Sequence, residues 1–171
     1  MIRVSLLLII TATVIASCSH SYYIVRHAKK EQPTGSSNMM SNDPALSEAG
    51  KVRAIVLKDQ LVNKHIRHIY STNTLRTRST AQPLSDAVNV PIVVYNSTDS
   101  LVMDLKKIKK GNVLIVGHSN TVDDIVNKLC GETKITTDLS DSQYDNLFIV
   151  KYKGKRITLI HQKYGYPSNP E

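Results

Sequence analysis

Short apolar runs alternate with longer segments of mixed polarity along this chain. Residues 22–25 (YYIV) are uncharged and favour extended backbone, so they predict a buried first strand. Residues 46–64 (LSEAGKVRAIVLKDQLVNK) predict a helix, with Ser47 placed to cap it and Val52, Ile55, Val56 and Leu61 as an apolar stripe. A second strand is expected at 68–71 (HIYS), a second helix at 77–88 bent near Pro83, and a third strand at 91–95 (PIVVY). Residues 99–110 read as a third helix closed by Gly111, 112–118 (NVLIVGH) as a fourth, nearly all-apolar strand, and 120–131 as a fourth helix ending in glycine. The segment 145–164 reads as a hairpin turning at Lys153-Gly154. Strand and helix alternate four times, and the strands are apolar on both faces. The pattern predicts a three-layer α/β/α domain whose sheet is mostly parallel, with a C-terminal antiparallel hairpin. Residues 29–45 (KKEQPTGSSNMMSNDPA) form a long loop, of the kind that borders a site.

The N-terminus belongs to none of these elements. Arg3 precedes an uncharged apolar run from Val4 to Ala16, too short to span a bilayer as a helix but suited to a secretory signal. The run ends in Ile15-Ala16-Ser17-Cys18, which resembles a bacterial lipobox. That resemblance implies cleavage before Cys18 and acylation of that cysteine, giving durable anchoring through several acyl chains. Residues 1–17 are then a lipoprotein signal peptide, 18–21 a tether and 22–171 the domain. Ser19, standing where an aspartate commonly retains lipoproteins in the inner membrane, favours the outer membrane of the cell envelope, facing the periplasm or the surface. Cys130 is left without a disulfide partner and reads as a small apolar filler.

Composition changes this picture in one respect. Among 171 residues, 22 Lys and Arg face 14 Asp and Glu, a net charge of +8. Such an excess favours anionic partners. The cations are dispersed and lack interleaved aromatics, so nucleic acid is not an expected partner.

Candidate chemistry gathers at strand ends, where open α/β sheets bind ligands. His27 follows the first strand and His118 the fourth, while STNTLRTR (71–78) follows the second and delivers Arg76 and Arg78. Two imidazoles among guanidiniums suit a dianionic phosphoryl group, with arginine forks on its oxygens and helix N-termini adding backbone donors. Surrounding positive charge favours the neutral imidazole and leaves a ring nitrogen free to attack phosphorus. The second histidine is placed to stabilise charge on the transferring group. This chemistry calls for no metal and no cofactor.

The stretches VRHAKK, LSEAGKVRA, IYSTNTLRTRSTAQPL and VLIVGHSNTV, in that order, resemble the successive motifs of the histidine phosphatase superfamily, over roughly residues 22 to 150. The resemblance implies that His27 is the nucleophile that becomes phosphorylated. It makes Arg26 and Arg76 phosphate-binding arginines, His118 the second histidine of the pocket, and Asn120 a further phosphate contact. Arg78 points elsewhere by its helical spacing. The family draws its general acid from a carboxylate beyond the third strand, where this chain offers Asp99, a position that also suits a helix cap. Asp123 and Asp124 fit helix-dipole stabilisers. Ala28 stands where glycine is common, and Lys29 where relatives often have glutamate, which implies an altered substrate preference. His65, His68 and His161 read as surface or structural residues, and His20 as linker.

The leading expectation is a phosphomonoester phosphatase rather than a mutase. The chain is short, and its long loop lacks obvious phosphoglycerate-binding segments. Two alternatives use the same pocket: a phosphatase for phosphorylated envelope sugars such as those of the lipopolysaccharide core, and a lipoprotein that binds phosphate or polyanions without turnover.

Overall fold

The computed structural model describes residues 19–32 and 43–168. Residues 1–18, with Cys18 and the apolar leader, lie outside the described residues, as do 33–42 and 169–171. In chain order the elements are β1 (Ser19–Arg26), α1 (Glu48–Leu61), β2 (Ile66–Ser71), α2 (Leu75–Val88), β3 (Ile92–Val94), α3 (Thr98–Leu105), β4 (Asn112–Gly117), α4 (Ser119–Cys130), β5 (Asn146–Lys153) and β6 (Arg156–Lys163). They build one six-stranded sheet in the order β3-β2-β4-β1-β5-β6. The first four strands in that order run parallel, and β5 and β6 add antiparallel strands at one side.

Side-chain alternation sends each central strand into two cores. Tyr22 and Ile24 of β1, with Val113 and Ile115 of β4, pack against Leu101 and Leu105 of α3 and Ile125 and Leu129 of α4. Tyr23, Val25, Leu114 and Val116 pack on the other face against Leu57 and Leu61 of α1 and Ala81 and Leu84 of α2. Val113 to Val116 have no exposure at all, and each such aliphatic contributes on the order of 1.5–3 kcal/mol of transfer free energy. The sheet is therefore covered on both faces, and the two strands that end at the site lie deeply buried at its centre.

Several boundaries differ from the expectations. The buried face of α1 is Gly50, Ala54, Leu57 and Leu61, whereas Val52 and Ile55 are about half exposed. Small residues set that face because the helix lies against backbone: a Cβ on Gly50 would stand 2.1 Å from the carbonyl oxygen of Lys29. An apolarity count overlooks glycine and alanine used for close approach. Helix α2 starts earlier, at Leu75, with Thr74 as its cap, and runs through Pro83 without interruption. Helix α3 stops at Leu105 rather than running to Gly111, which instead turns at φ 83° into β4 beside Arg67. β1 takes in residues expected in the tether: Ser19, His20 and Ser21 pair with Lys153, Tyr152 and Lys151. His20 is thus no linker residue, and its ring packs edge-on to Tyr22, 5.1 Å between centroids.

Candidate active site

β1 and β4 end level with each other, Arg26 opposite Gly117. The ladder continues one step further, since the His27 amide donates to the Gly117 carbonyl at 2.9 Å. The next amide, Ala28, donates to Thr80 Oγ1 at 2.9 Å, and that hydroxyl donates to the Arg76 carbonyl at 2.8 Å. Helix α2 therefore grips the backbone on the far side of His27, so the ring is positioned from both the strand and the helix.

The ring's own bond fixes its chemistry. His27 Nδ1 lies 2.8 Å from the Ala28 carbonyl oxygen, which can only accept. The proton consequently resides on Nδ1, and Nε2 keeps its lone pair. Burial, followed by the charges of Arg26, Arg76 and His118, lowers the His27 pKa to about 3 even though the Ala28 bond pulls the other way. At neutral pH the side chain is an uncharged imidazole with a ring lone pair available.

His118 caps α4 at the end of β4. Its ring stands perpendicular to that of His27, at 68° with centroids 5.5 Å apart. Nε2 of His118 lies 2.9 Å from Thr72 Oγ1, and Thr72 Oγ1 donates onward to Thr77 Oγ1 at 3.0 Å. Thr77 spends its own proton on the carbonyls of Thr72 and Thr74, so Thr72 accepts from His118 Nε2–H. Burial first, then the charges of Arg76 and Arg26, lower the His118 pKa, while Asp43 acts in the opposite direction.

The two arginines flank this pair. Arg26 is 4% exposed; its guanidinium donates to the carbonyl of Ser140 at 2.7 Å and to Asp141 Oδ1 at 3.1 Å, and lies 4.4 Å above the Tyr144 ring. Arg76 donates from Nη1 to Asp43 Oδ1 at 3.2 Å, and Asp43 Oδ2 also accepts from the first amide of α2, that of Leu75, at 2.7 Å. Each guanidinium keeps a buried Nε without a partner among the described residues. A buried donor left unpaired costs on the order of 1–3 kcal/mol, and both guanidiniums carry that cost beside the histidine pair.

The structure thus brings together Arg26, His27, Arg76 and His118. Asn120 lies exposed on the first turn of α4, two residues beyond His118. Arg78 is exposed on α2. Asp99 is engaged elsewhere: it sits in the first turn of α3, whose cap is Ser97, 78% exposed and 2.7 Å from Lys128 Nζ. Asp124 shares the same lysine and bonds Thr98. The carboxylate whose field reaches His118 is instead Asp43.

Thr72, Tyr144 and Asp43 carry no role in the sequence reading. Thr72 lies within the stretch IYSTNTLRTRSTAQPL, immediately after β2, and its place beside a strand end is the signal that marks it; Asp43 lies in the long loop before α1. Tyr144 has no such signal, because it arrives from the segment before β5. Lys29 lies beside Tyr144, Val52, Val56 and Tyr166 around a cavity of about 380 Å³ that shares the Tyr144 wall with the histidine pair. Among the described residues, no three His, Cys, Asp or Glu side chains cluster as metal ligands.

Known proteins align with this arrangement. The family model of the histidine phosphatase superfamily (branch 1) matches residues 22–99. Phosphoserine phosphatase 1 of Hydrogenobacter thermophilus is 38% identical over 71 residues, 41% of this chain, and the match spans only 33% of that protein's length. The protein histidine phosphatase SixA, solved with tungstate, superposes with a TM-score of 0.64 at 18% identity, over 84% of this chain and 96% of its own. A mycobacterial glucosyl-3-phosphoglycerate phosphatase superposes at 0.62 and 12% identity, covering 85% of this chain and 98% of that one. Phosphoglycerate mutase from Bacillus anthracis str. Sterne superposes at 0.59 and 15% identity, covering 84% and 92%. The structural likenesses, all below 20% identity, are likenesses of fold. The matching family model, with the ordered motifs, leads to one conclusion: residues 22–99 of this chain belong to the histidine phosphatase superfamily.

Proposed function

We propose that the protein is a phosphomonoester phosphatase acting through a phosphohistidine on His27, exported and lipid-anchored at Cys18. The observation that carries this reading is the unprotonated Nε2 of His27, set beside His118 between two guanidiniums with unpartnered buried Nε atoms. Nε2 attacks phosphorus, the bond from phosphorus to the ester oxygen breaks, and Arg26, Arg76 and His118 hold the charge on the three remaining oxygens. Water then attacks the phosphohistidine, releasing phosphate and restoring the imidazole. The guanidiniums supply the charge neutralisation, so the reaction proceeds without a metal.

The leaving oxygen needs a proton, and Asp43 is better placed than Asp99 to provide it. Asp43 bonds Arg76, which substrate phosphate also engages, so its carboxylate stands beside the bound phosphoryl group as the acid. Relatives named for phosphoserine, phosphohistidine and glucosyl-3-phosphoglycerate share the phosphate end of the substrate and differ in the rest. In this chain Lys29 and the apolar walls of the adjacent cavity favour an alcohol that carries an anionic group. Envelope location makes phosphorylated envelope sugars a second reading, which release of phosphate from purified lipopolysaccharide would test.

The test is hydrolysis of p-nitrophenyl phosphate in the presence of EDTA. Undiminished turnover with chelator, loss of turnover in His27→Ala, and an acid-labile, base-stable phosphoryl adduct in the wild type support the mechanism. Activity that requires a metal, or that survives in His27→Ala, overturns it. For the anchor, palmitate labelling that disappears in Cys18→Ser is the expected result.

A further inference from the structure

The end of the sheet opposite the histidines carries a separate feature. All four parallel strands begin there, β1 with Ser19, and the β5–β6 hairpin turns there. Asn112 ties the neighbouring segments together, its side chain accepting from the Ser21 amide at 2.7 Å and donating to the Lys64 carbonyl at 2.6 Å.

Exposed cations crowd this end: Lys64 before β2, Lys109 and Lys110 before β4, and Lys153, Lys155 and Arg156 around the hairpin turn. Among the described residues none of these six forms an ion pair, whereas the carboxylates Asp59, Asp104 and Glu132 at the same end are each met by another lysine, Lys58, Lys107 and Lys134. Asp86, on the last turn of α2, is the remaining carboxylate at this end and bonds Gln82. At the other end stand Asp43, Glu48, Asp99 and Asp141, beside the helix starts and the loop before β5. The excess positive charge of the chain is thus polarised along the strands, away from the catalytic rim.

We propose that this basic end is a docking face for an anionic phospholipid bilayer, which holds the histidine pocket pointing away from the membrane. The inference rests on the anchoring reading above, and two facts select a bilayer over a soluble polyanion. The chain enters the domain at this face, with Ser19 pairing to Lys153, and the residues preceding Ser19 in sequence are Cys18 and the apolar run. An anchored chain therefore presents these cations to lipid headgroups before any other ligand. β1 is 8 residues long, and at about 3.3 Å per residue it sets His27 roughly 25 Å above that face. A pocket so oriented draws water-soluble phosphoesters rather than membrane lipids.

The test uses the full chain, reconstituted into phosphatidylcholine vesicles with or without phosphatidylglycerol. Lysine reactivity towards an amine reagent is read residue by residue by mass spectrometry. With phosphatidylglycerol at low salt, Lys109, Lys110, Lys153 and Lys155 are expected to be protected while Lys51 stays reactive, and high salt abolishes the protection. Each lysine near an anionic surface raises partitioning about fivefold, so Glu at these four positions lowers phosphatidylglycerol-dependent binding by at least about a hundredfold. The variant keeps its hydrolysis of p-nitrophenyl phosphate. Protection unaffected by phosphatidylglycerol, protection of Lys51 instead, or protection by heparin that phosphatidylglycerol vesicles cannot match overturns the docking face. Failure of Cys18 acylation with lipid-dependent protection intact would remove the anchor and leave the face standing.

Discussion

His27 and His118 face each other across the seam between β1 and β4, ring centroids 5.5 Å apart and planes at 68°. Both are neutral in that position. Burial and two guanidiniums oppose the proton on either ring, and their separate hydrogen bonds, to Ala28 and to Thr72, orient them for different tasks. One presents a lone pair, and the other, beside it, has its N–H held on Thr72.

His27→Ala is expected to lower kcat by at least about 10⁴-fold, the scale seen when a nucleophile is removed. His118→Ala is expected to retain a trace of phosphohistidine formation, since it leaves Nε2 of His27 in place. Quenched-flow detection of the adduct checks both.

Thr72→Val removes the acceptor of His118 Nε2–H at 2.9 Å. One neutral hydrogen bond is worth about 1 kcal/mol, so kcat is expected to fall about fivefold while Thr72→Ser restores it. A loss seen only in KM would argue against the positioning role.

Asp43→Asn is expected to slow the hydrolysis of alkyl phosphates far more than that of p-nitrophenyl phosphate, whose leaving group needs no proton. Asp99→Asn is expected to leave both unchanged, because its carboxylate is held by Lys128. The reverse pattern would return the acid to Asp99.

Acid should destabilise the fold through His27. Its pKa in the folded state is about 3, against an ordinary 6.5, so between those values the unfolded chain binds a proton that the native chain refuses. Stability is fully present above pH 6.5, declines as pH falls through that window, and levels off near pH 3. His118 acts with the same sign. Urea midpoints measured between pH 4 and 8 should follow this slope, and His27→Asn should flatten it.

Gly117→Ala should be costly although the backbone there is ordinary strand. A Cβ would stand 2.6 Å from Thr121 Oγ1 and 2.9 Å from the Tyr95 hydroxyl, overpacking the base of α4 by about 1–3 kcal/mol. A fall of several degrees in Tm is the expected reading.

By itself the sequence determined which strands are central and which residues end them. Buried parallel strands must be apolar on both faces, so YYIV and VLIVG stand out, and a charged or imidazole side chain just beyond such a run has to lie at the sheet's rim. The meeting of Arg26, His27, Arg76 and His118 at the rim was legible for that reason. Only the tertiary structure decided what depends on neighbours distant in the chain. Tyr144 beneath Arg26, Thr72 behind His118 and Asp43 on Arg76 meet their partners across 118, 46 and 33 residues, by packing and hydrogen bonds that no local period encodes. The buried face of α1 and the engagement of Asp99 by Lys128 were settled likewise, by close backbone approach in one case and by the side-by-side packing of two helices in the other. Apolar pattern places an element in a layer, and only the assembled layers decide which polar atoms come within bonding distance.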